Sequence, residues 1–186
     1  MAMSCSGAFA LDKLTSICNE ARLHRAELPA VNGITSARAL GRIYALLIGD
    51  IDDRGKQAKR LVSEATLREA TRDITPEGEP DVNWYKLSTT FAKGGFQTYG
   101  DCFQILGNEV FGHSGKIRIV TRGIRTTQAS LPHCLTGYGG SCAFAFPPWQ
   151  LAYAHVCNQM DPTALTIDPR SLRLIQAIEL VHKQHI

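Results

Sequence analysis

Ser141-Cys142-Ala143-Phe144-Ala145-Phe146-Pro147-Pro148-Trp149-Gln150-Leu151-Ala152-Tyr153-Ala154-His155-Val156-Cys157 reads as two β-prone arms around a proline turn. In the second arm Leu151, Tyr153, His155 and Cys157 share one face, and Ala152, Ala154 and Val156 share the other. Both faces are largely apolar, so this strand should be covered on both sides. Upstream, Thr89 to Tyr99, Cys102 to Leu106 and Val110 to Ser114 are further short β-prone runs between glycine-rich turns. Before them the period changes. From Ser36, the positions Ala37, Leu40, Ile43, Tyr44, Leu47 and Ile48 fall on one helical face. Ser63 can cap a second helix carrying Leu67, Ala70 and Ile74. Asp50 to Lys59 reads as a charged loop turning at Gly55, and Thr75 to Asp81 as a second loop. Residues 1–28 are weakly patterned, with a short helix around Leu11 to Leu23 and a stop at Pro29. Downstream, Asp168-Pro169 supplies an N-cap and a first-turn proline for a closing helix with Leu172, Ile175, Ile178 and Val181. Helices, then antiparallel strands, then a closing helix give an α+β fold, not alternating βαβ units.

The 186 residues, 44% hydrophobic and 20% charged, can bury one core, as a single domain or as part of a larger one. The net charge of +3 comes from scattered basic residues with no run of five, so no nucleic-acid partner is indicated. No 18-residue apolar run occurs and the first residues lack a basic, signal-like start, so no membrane span and a cytoplasmic location are expected. The six cysteines are too dispersed for a disulfide scaffold and read as free thiols.

Several local signals fail on inspection. Gly112-His113-Ser114-Gly115-Lys116 lacks the final glycine of a nucleophile elbow, and Val110 and Ile117 stand where a phosphate-binding loop needs glycine and a hydroxyl residue. His133, Cys134, Cys142, His155 and Cys157 match no common zinc spacing; core packing accounts for Cys142 and Cys157, and neither metal nor organic cofactor is expected. His24, His182 and His185 read as surface residues, and Trp84 and Trp149 as covers over the core. His113 reads either as a partly buried strand histidine or as a site residue.

One pattern goes further. Gly112-His113-Ser114-Gly115 and Gly137-Tyr138-Gly139-Gly140, joined by merging Gly115 with Gly137, read Gly-His-Ser-Gly-Tyr-Gly-Gly followed directly by strand sequence. So joined, the text resembles the third active-site motif of β-lactamase-related serine hydrolases, in its His-Thr-Gly form. Val31 to Tyr44 resembles the helix after that family's middle motif, and Arg60-Leu61-Val62-Ser63 its Arg-Leu-Leu-Ser segment. Gly94-Gly95-Phe96 is similar to its Gly-Phe strand, and Gly139 to Met160 to the hairpin ending in Asn-x-Met. The resemblance runs from about Pro29 to near the C-terminus, with the tract after Gly115 excepted.

The resemblance implies a partial β-lactamase or penicillin-binding-protein fold and a serine acyl-enzyme acting on an ester or amide, since a hydroxyl attacks a carbonyl only when a nearby base takes its proton. It further implies that His113, Ser114 and Gly115 line the substrate wall, with the motif strand giving a backbone N–H to the oxyanion hole. A small acyl compound or peptide is the implied partner; the oligomeric state is left open.

The chain departs from the family at the chemistry. No Ser-x-x-Lys occurs; the nearest imitation, Thr90-Phe91-Ala92-Lys93, falls in a strand-like run. No Tyr-x-Asn occurs either, because Leu46, Leu87, Asp101, Gly140 and His155 stand two residues after the tyrosines. The reading is therefore a C-terminal portion, inactive alone, or alternatively a non-catalytic ligand-binding or interaction module on the same fold. The 22-residue tract Lys116 to Gly137 carries Lys116, Arg118, Arg122 and Arg125 and no acid. It reads either as an inserted loop or as a translated intron, since Gly115-Lys116 can be encoded GGTAAG and Thr136-Gly137 ACAGGN, which contain splice donor and acceptor sequences.

Overall fold

The computed structural model describes residues 20–27, 33–75, 91–98, 106, 109–113, 140–158 and 168–184. Ser36, in extended conformation, accepts the Ala39 amide through its hydroxyl at 3.2 Å and starts α2 (Ala37–Ile48), which follows a single-turn α1 (Ala21–Arg25). The expected helix at Leu11 to Leu23 lies mostly outside the described residues; α1 begins at its end. In α2 the expected stripe holds at Tyr44, Leu40, Leu47 and Ile48, which pack into the core, whereas Ile43 is exposed. Ser63 caps α3 (Glu64–Ala70) in the same way, burying Leu67 and leaving Ile74, beyond the helix end, exposed.

The charged stretch after α2 is not a plain loop. It forms a hairpin, β1 (Ile51–Asp53) with β2 (Lys56–Ala58), turned by Arg54 and Gly55, both at positive φ. Two left-handed residues in a two-residue connection match the twist of paired strands, and glycine adopts the second without penalty. Arg38 and Arg42 from α2 both reach Asp53 and tie the hairpin to the helix.

The main sheet runs β3 (Gln97–Thr98), β4 (Phe111–His113), β5 (Cys142–Phe146) and β6 (Leu151–His155) in that spatial order, every pair antiparallel. The hairpin expected from Ser141 to Cys157 is β5–β6, with all of β5 buried. Pro147–Trp149 forms one 3-10 turn, closed by Gln150 at φ 48°. Phe91 and Ala92 sit in isolated bridges, with a turn at Gly94 and Gly95 before β3. Of the remaining strand-like run, Leu106 alone is described, and it is buried.

Pleating divides the sheet into two unequal faces. Ala143, Ala145, Ala152 and Ala154 face α2 together with Phe111, and a Cβ on Gly41 of the helix would stand 3.7 Å from that of Ala154. Small residues on the sheet let the helix approach and leave the volume to Tyr44, Leu40 and Leu47. The opposite face presents Cys142, Phe144, Phe146 and Tyr153 to Ile175 and Ile178 of α4 (Pro169–Gln184). The sheet is therefore covered on both sides, as the two apolar faces of β6 demand. Asp168 caps α4 as the sequence indicates, its carboxylate accepting the Arg170 amide at 2.8 Å and its carbonyl the Leu172 amide at 3.0 Å. Val181 is exposed, contrary to the helical stripe. His182 turns inward instead, and its ring stacks on Trp149 at 3.8 Å, so it is no ordinary surface residue.

Candidate functional site

Gly112 decides where the motif strand lies. A Cβ at this position would fall 2.2 Å from the Ala143 carbonyl oxygen and 2.6 Å from the Phe144 Cα, so the close approach of β4 to β5 requires glycine. Pairing Gly112 with Phe144 and His113 with Ala143 sets the register, and alternation puts His113 on the α2 side, beside Phe111 in the strand. His113 is exposed, so the reading of a partly buried strand histidine fails. On its other side β4 pairs with β3, among the described residues, at Phe111 and Gly112, and toward His113 the ladder ends with Gln97 opposite Gly112. The β4 edge at His113 therefore lies beyond the last ladder pair with β3, where an extended ligand can lie along the strand. Ser114 and Gly115, and the tract through Gly137, lie outside the described residues.

The groups that could generate a nucleophile are engaged elsewhere among the described residues. Ser36 and Ser63 cap helices. Ser141 accepts the Cys157 amide at 3.2 Å. Ser171 is fully buried, bonded to the Tyr153 hydroxyl at 3.0 Å and the Cys142 thiol at 3.1 Å. Burial pushes the phenols of Tyr44 and Tyr153 up to about 12, which unsuits both to accepting a proton near neutral pH. Lys93, the cation of the Thr90 to Lys93 imitation, sits in a turn and pairs with Glu69, remote in kind from a lysine on the first turn of a helix.

Cys142 is buried, and its thiol is raised to about 11 by that burial. At pH 8 only about one thiol in a thousand is then ionised. In the folded protein Cys142 is accordingly expected to resist iodoacetamide for hours and to react within minutes in denaturant, as peptide mass spectrometry will record.

A second cluster adds one residue, Asp168, to the His155 and Cys157 pair that the sequence places together. His155 and Cys157 share the α4-side face of the second hairpin arm, as expected, and Asp168 arrives beside them from the cap of α4. Their potential ligand atoms all lie within 4.8 Å of one another. Asp168 has a side chain 1% exposed and is held by the Arg170 guanidinium, which keeps its carboxyl below the usual carboxylate range. The i, i+2 spacing signalled the first two residues; the third depends on where the chain returns after β6. His133 and Cys134, also weighed for a metal, lie outside the described residues, and Cys142 bonds to Ser171.

Solved structures resemble the chain over most of its length. EstA from Arthrobacter nitroguajacolicus Rue61a superposes with a TM-score of 0.66 at 19% identity, the alignment covering 90% of this chain and 37% of EstA. A penicillin-binding protein homolog from Caulobacter crescentus superposes with a TM-score of 0.57 at 27% identity, covering 84% of this chain and 34% of the homolog. This chain thus spans little more than a third of either structure. No protein-family model and no curated protein matches the sequence. The fold is that of the β-lactamase and penicillin-binding-protein-like serine hydrolases, in part.

Proposed function

We propose that this chain, built on part of a serine-hydrolase fold, is the C-terminal portion of an acyl-transfer enzyme, carrying the substrate wall of the site without its nucleophile. The observation that carries the reading is the placement of His113: exposed on β4, at an edge beyond the last ladder pair with β3. In this reading His113, Ser114 and Gly115 hold the acyl group of an ester or amide along the strand. A backbone N–H at the motif's end receives the developing oxyanion. The serine–lysine pair and the tyrosine come from sequence that precedes Val31 in the family and has no counterpart among these 186 residues. Without nucleophile and base, acyl transfer by this route is negligible.

The tract Lys116 to Gly137 fits this reading as an interruption. Its removal leaves Ser114, Gly115, Tyr138, Gly139, Gly140 and Ser141 to connect His113 to Cys142, a short connection of the kind that joins adjacent antiparallel strands. Sequencing the genomic locus and its transcript tests both points. The expected result is an in-frame Ser-x-x-Lys and tyrosine motif upstream of Met1. GT and AG at the codons for Gly115-Lys116 and Thr136-Gly137 identify the tract as an intron, and their absence leaves an inserted loop. A locus with no such upstream motifs, together with a purified chain that is stable and monomeric, overturns the fragment reading in favour of a non-catalytic binding module.

A further inference from the structure

We propose that His155, Cys157 and Asp168 form a binding site for one divalent cation of the zinc type. The site is separate from the His113 wall and does not depend on the acyl-transfer reading. It sits on the α4 side of the sheet, whereas His113 projects on the α2 side. Both lie toward the same end, since Ala143 pairs with His113 on one side and Ala154 on the other.

The imidazole gives the first reason. His155 is partly buried, yet its Nε2 is sealed from solvent and has no hydrogen-bond partner among the described residues. A sealed ring nitrogen without a partner is costly, and a metal ion is one of the few groups that satisfies it at such short range. Convergence gives the second. Donors from β6, from the residue pair beyond it and from the cap of α4 lie within 4.8 Å of one another. Tetrahedral coordination at zinc bond lengths separates its donors by about 3.5 Å, so side-chain adjustments of about 1 Å close the site.

The surroundings already orient the ligands. Asp168 is fixed by its own capping bond and by Arg170, whose Nε lies 2.9 Å from Oδ1. Oδ1 accepts the Arg170 amide and Nε, and Oδ2 accepts Nη2 and a longer contact from Nε at 3.1 Å, which a metal at Oδ2 displaces. Gly140, at φ +95°, presses its backbone onto the carboxylate; a Cβ there would stand 2.3 Å from Asp168 Oδ2. Ser141 holds the Cys157 amide at 3.2 Å, and its hydroxyl lies 3.6 Å from the Cys157 sulfur. Arg170 also reaches the Cys157 side chain. These contacts are of the outer-shell kind that fixes ligand rotamers around a metal. The ion pair with Arg170 accounts for Asp168 by itself, but not for the sealed nitrogen of His155.

The donor set decides the class of ion. Nitrogen, sulfur and one carboxylate suit zinc and its neighbours, whereas magnesium and calcium require oxygen ligands throughout. On binding, the Cys157 thiol releases its proton to solvent, and three protein ligands leave a fourth position for water. The ion would join β6 and α4 to the Gly140 turn that leads from the motif into β5.

Cobalt serves as the probe. The full chain, stripped with a chelator and dialysed, is titrated with Co2+ alone. The expected result is one equivalent bound with a thiolate-to-cobalt charge-transfer absorption, displaced by one equivalent of Zn2+. Cys157→Ser should abolish the absorption, His155→Ala should weaken binding at least about 10-fold, and His182→Ala should leave it within about twofold. If either ligand variant fails to fold, the unmutated chain still decides: one equivalent of Zn2+ should protect Cys157 from alkylation, read peptide by peptide. The proposal is overturned by a folded wild-type chain that shows no charge-transfer absorption, by absorption unchanged in His155→Ala, or by Zn2+ that protects other cysteines and leaves Cys157 reactive.

Discussion

Phe144→Ala is expected to lower the unfolding free energy by about 3–5 kcal/mol, the cost of deleting a fully buried aromatic ring and leaving its cavity. Phe144 occupies the middle of β5, between β4 and β6, with 1% of its surface exposed. Its ring stacks on Tyr153 with centroids 4.9 Å apart and packs with Val110 and Ile175. Neither helix can move in to fill the void, because α2 lies on the other face and α4 is fixed through its Asp168 cap. Urea denaturation followed by circular dichroism measures the loss. Phe144→Leu, which retains most of the volume, should lose about half as much or less. A loss below about 1 kcal/mol for the alanine variant would mean that β5 is not the centre of a sheet covered on both faces.

Gly112→Ala should destabilise by about 2–3 kcal/mol for a different reason, overpacking. The added methyl group meets backbone, the Ala143 carbonyl oxygen and the Phe144 Cα, so β4 must separate from β5 to admit it. For a chain of this size that corresponds to a melting temperature lower by about 4–12 °C. Gly33 and Gly49 supply the controls. A Cβ at either meets nothing within 4 Å, and Gly49 is extended at φ −170°, so alanine there should shift the melting temperature by about 2 °C or less. Differential scanning calorimetry of the three variants separates a requirement specific to the motif strand from a general intolerance of glycine replacement.

Much of this architecture was legible because local signals and burial agree. Ser63 and Asp168 announce their helices through side-chain caps, and the structure shows both bonded as caps, together with Ser36. The alanine face and the aromatic face of the β5–β6 hairpin state directly that something must cover each. The β1–β2 hairpin was not legible. Its strands are too short and charged to show alternation, and they are held by Arg38 and Arg42 from the preceding helix, a tertiary effect. The stripes of α2 and α4 were each one position too wide, at Ile43 and at Val181; in α4 the inward position belongs to His182, which finds Trp149 across the hairpin turn. At the candidate site Gly112 and His113 could be placed on one strand from spacing alone. The meeting of His155 and Cys157 with Asp168 could not, because it depends on the path of the chain between β6 and α4.

On the proposed reading this chain carries one wall of an acyl-transfer site and none of its nucleophilic machinery. Incubating the purified, folded chain with a fluorophosphonate, then measuring its intact mass, tests this most directly. An unchanged mass is expected after prolonged exposure, because Ser36, Ser63, Ser141 and Ser171 are all engaged in structural hydrogen bonds and no lysine follows any serine of the sequence at the required spacing. Stoichiometric addition of one phosphonyl group, mapped to a single serine, would contradict it.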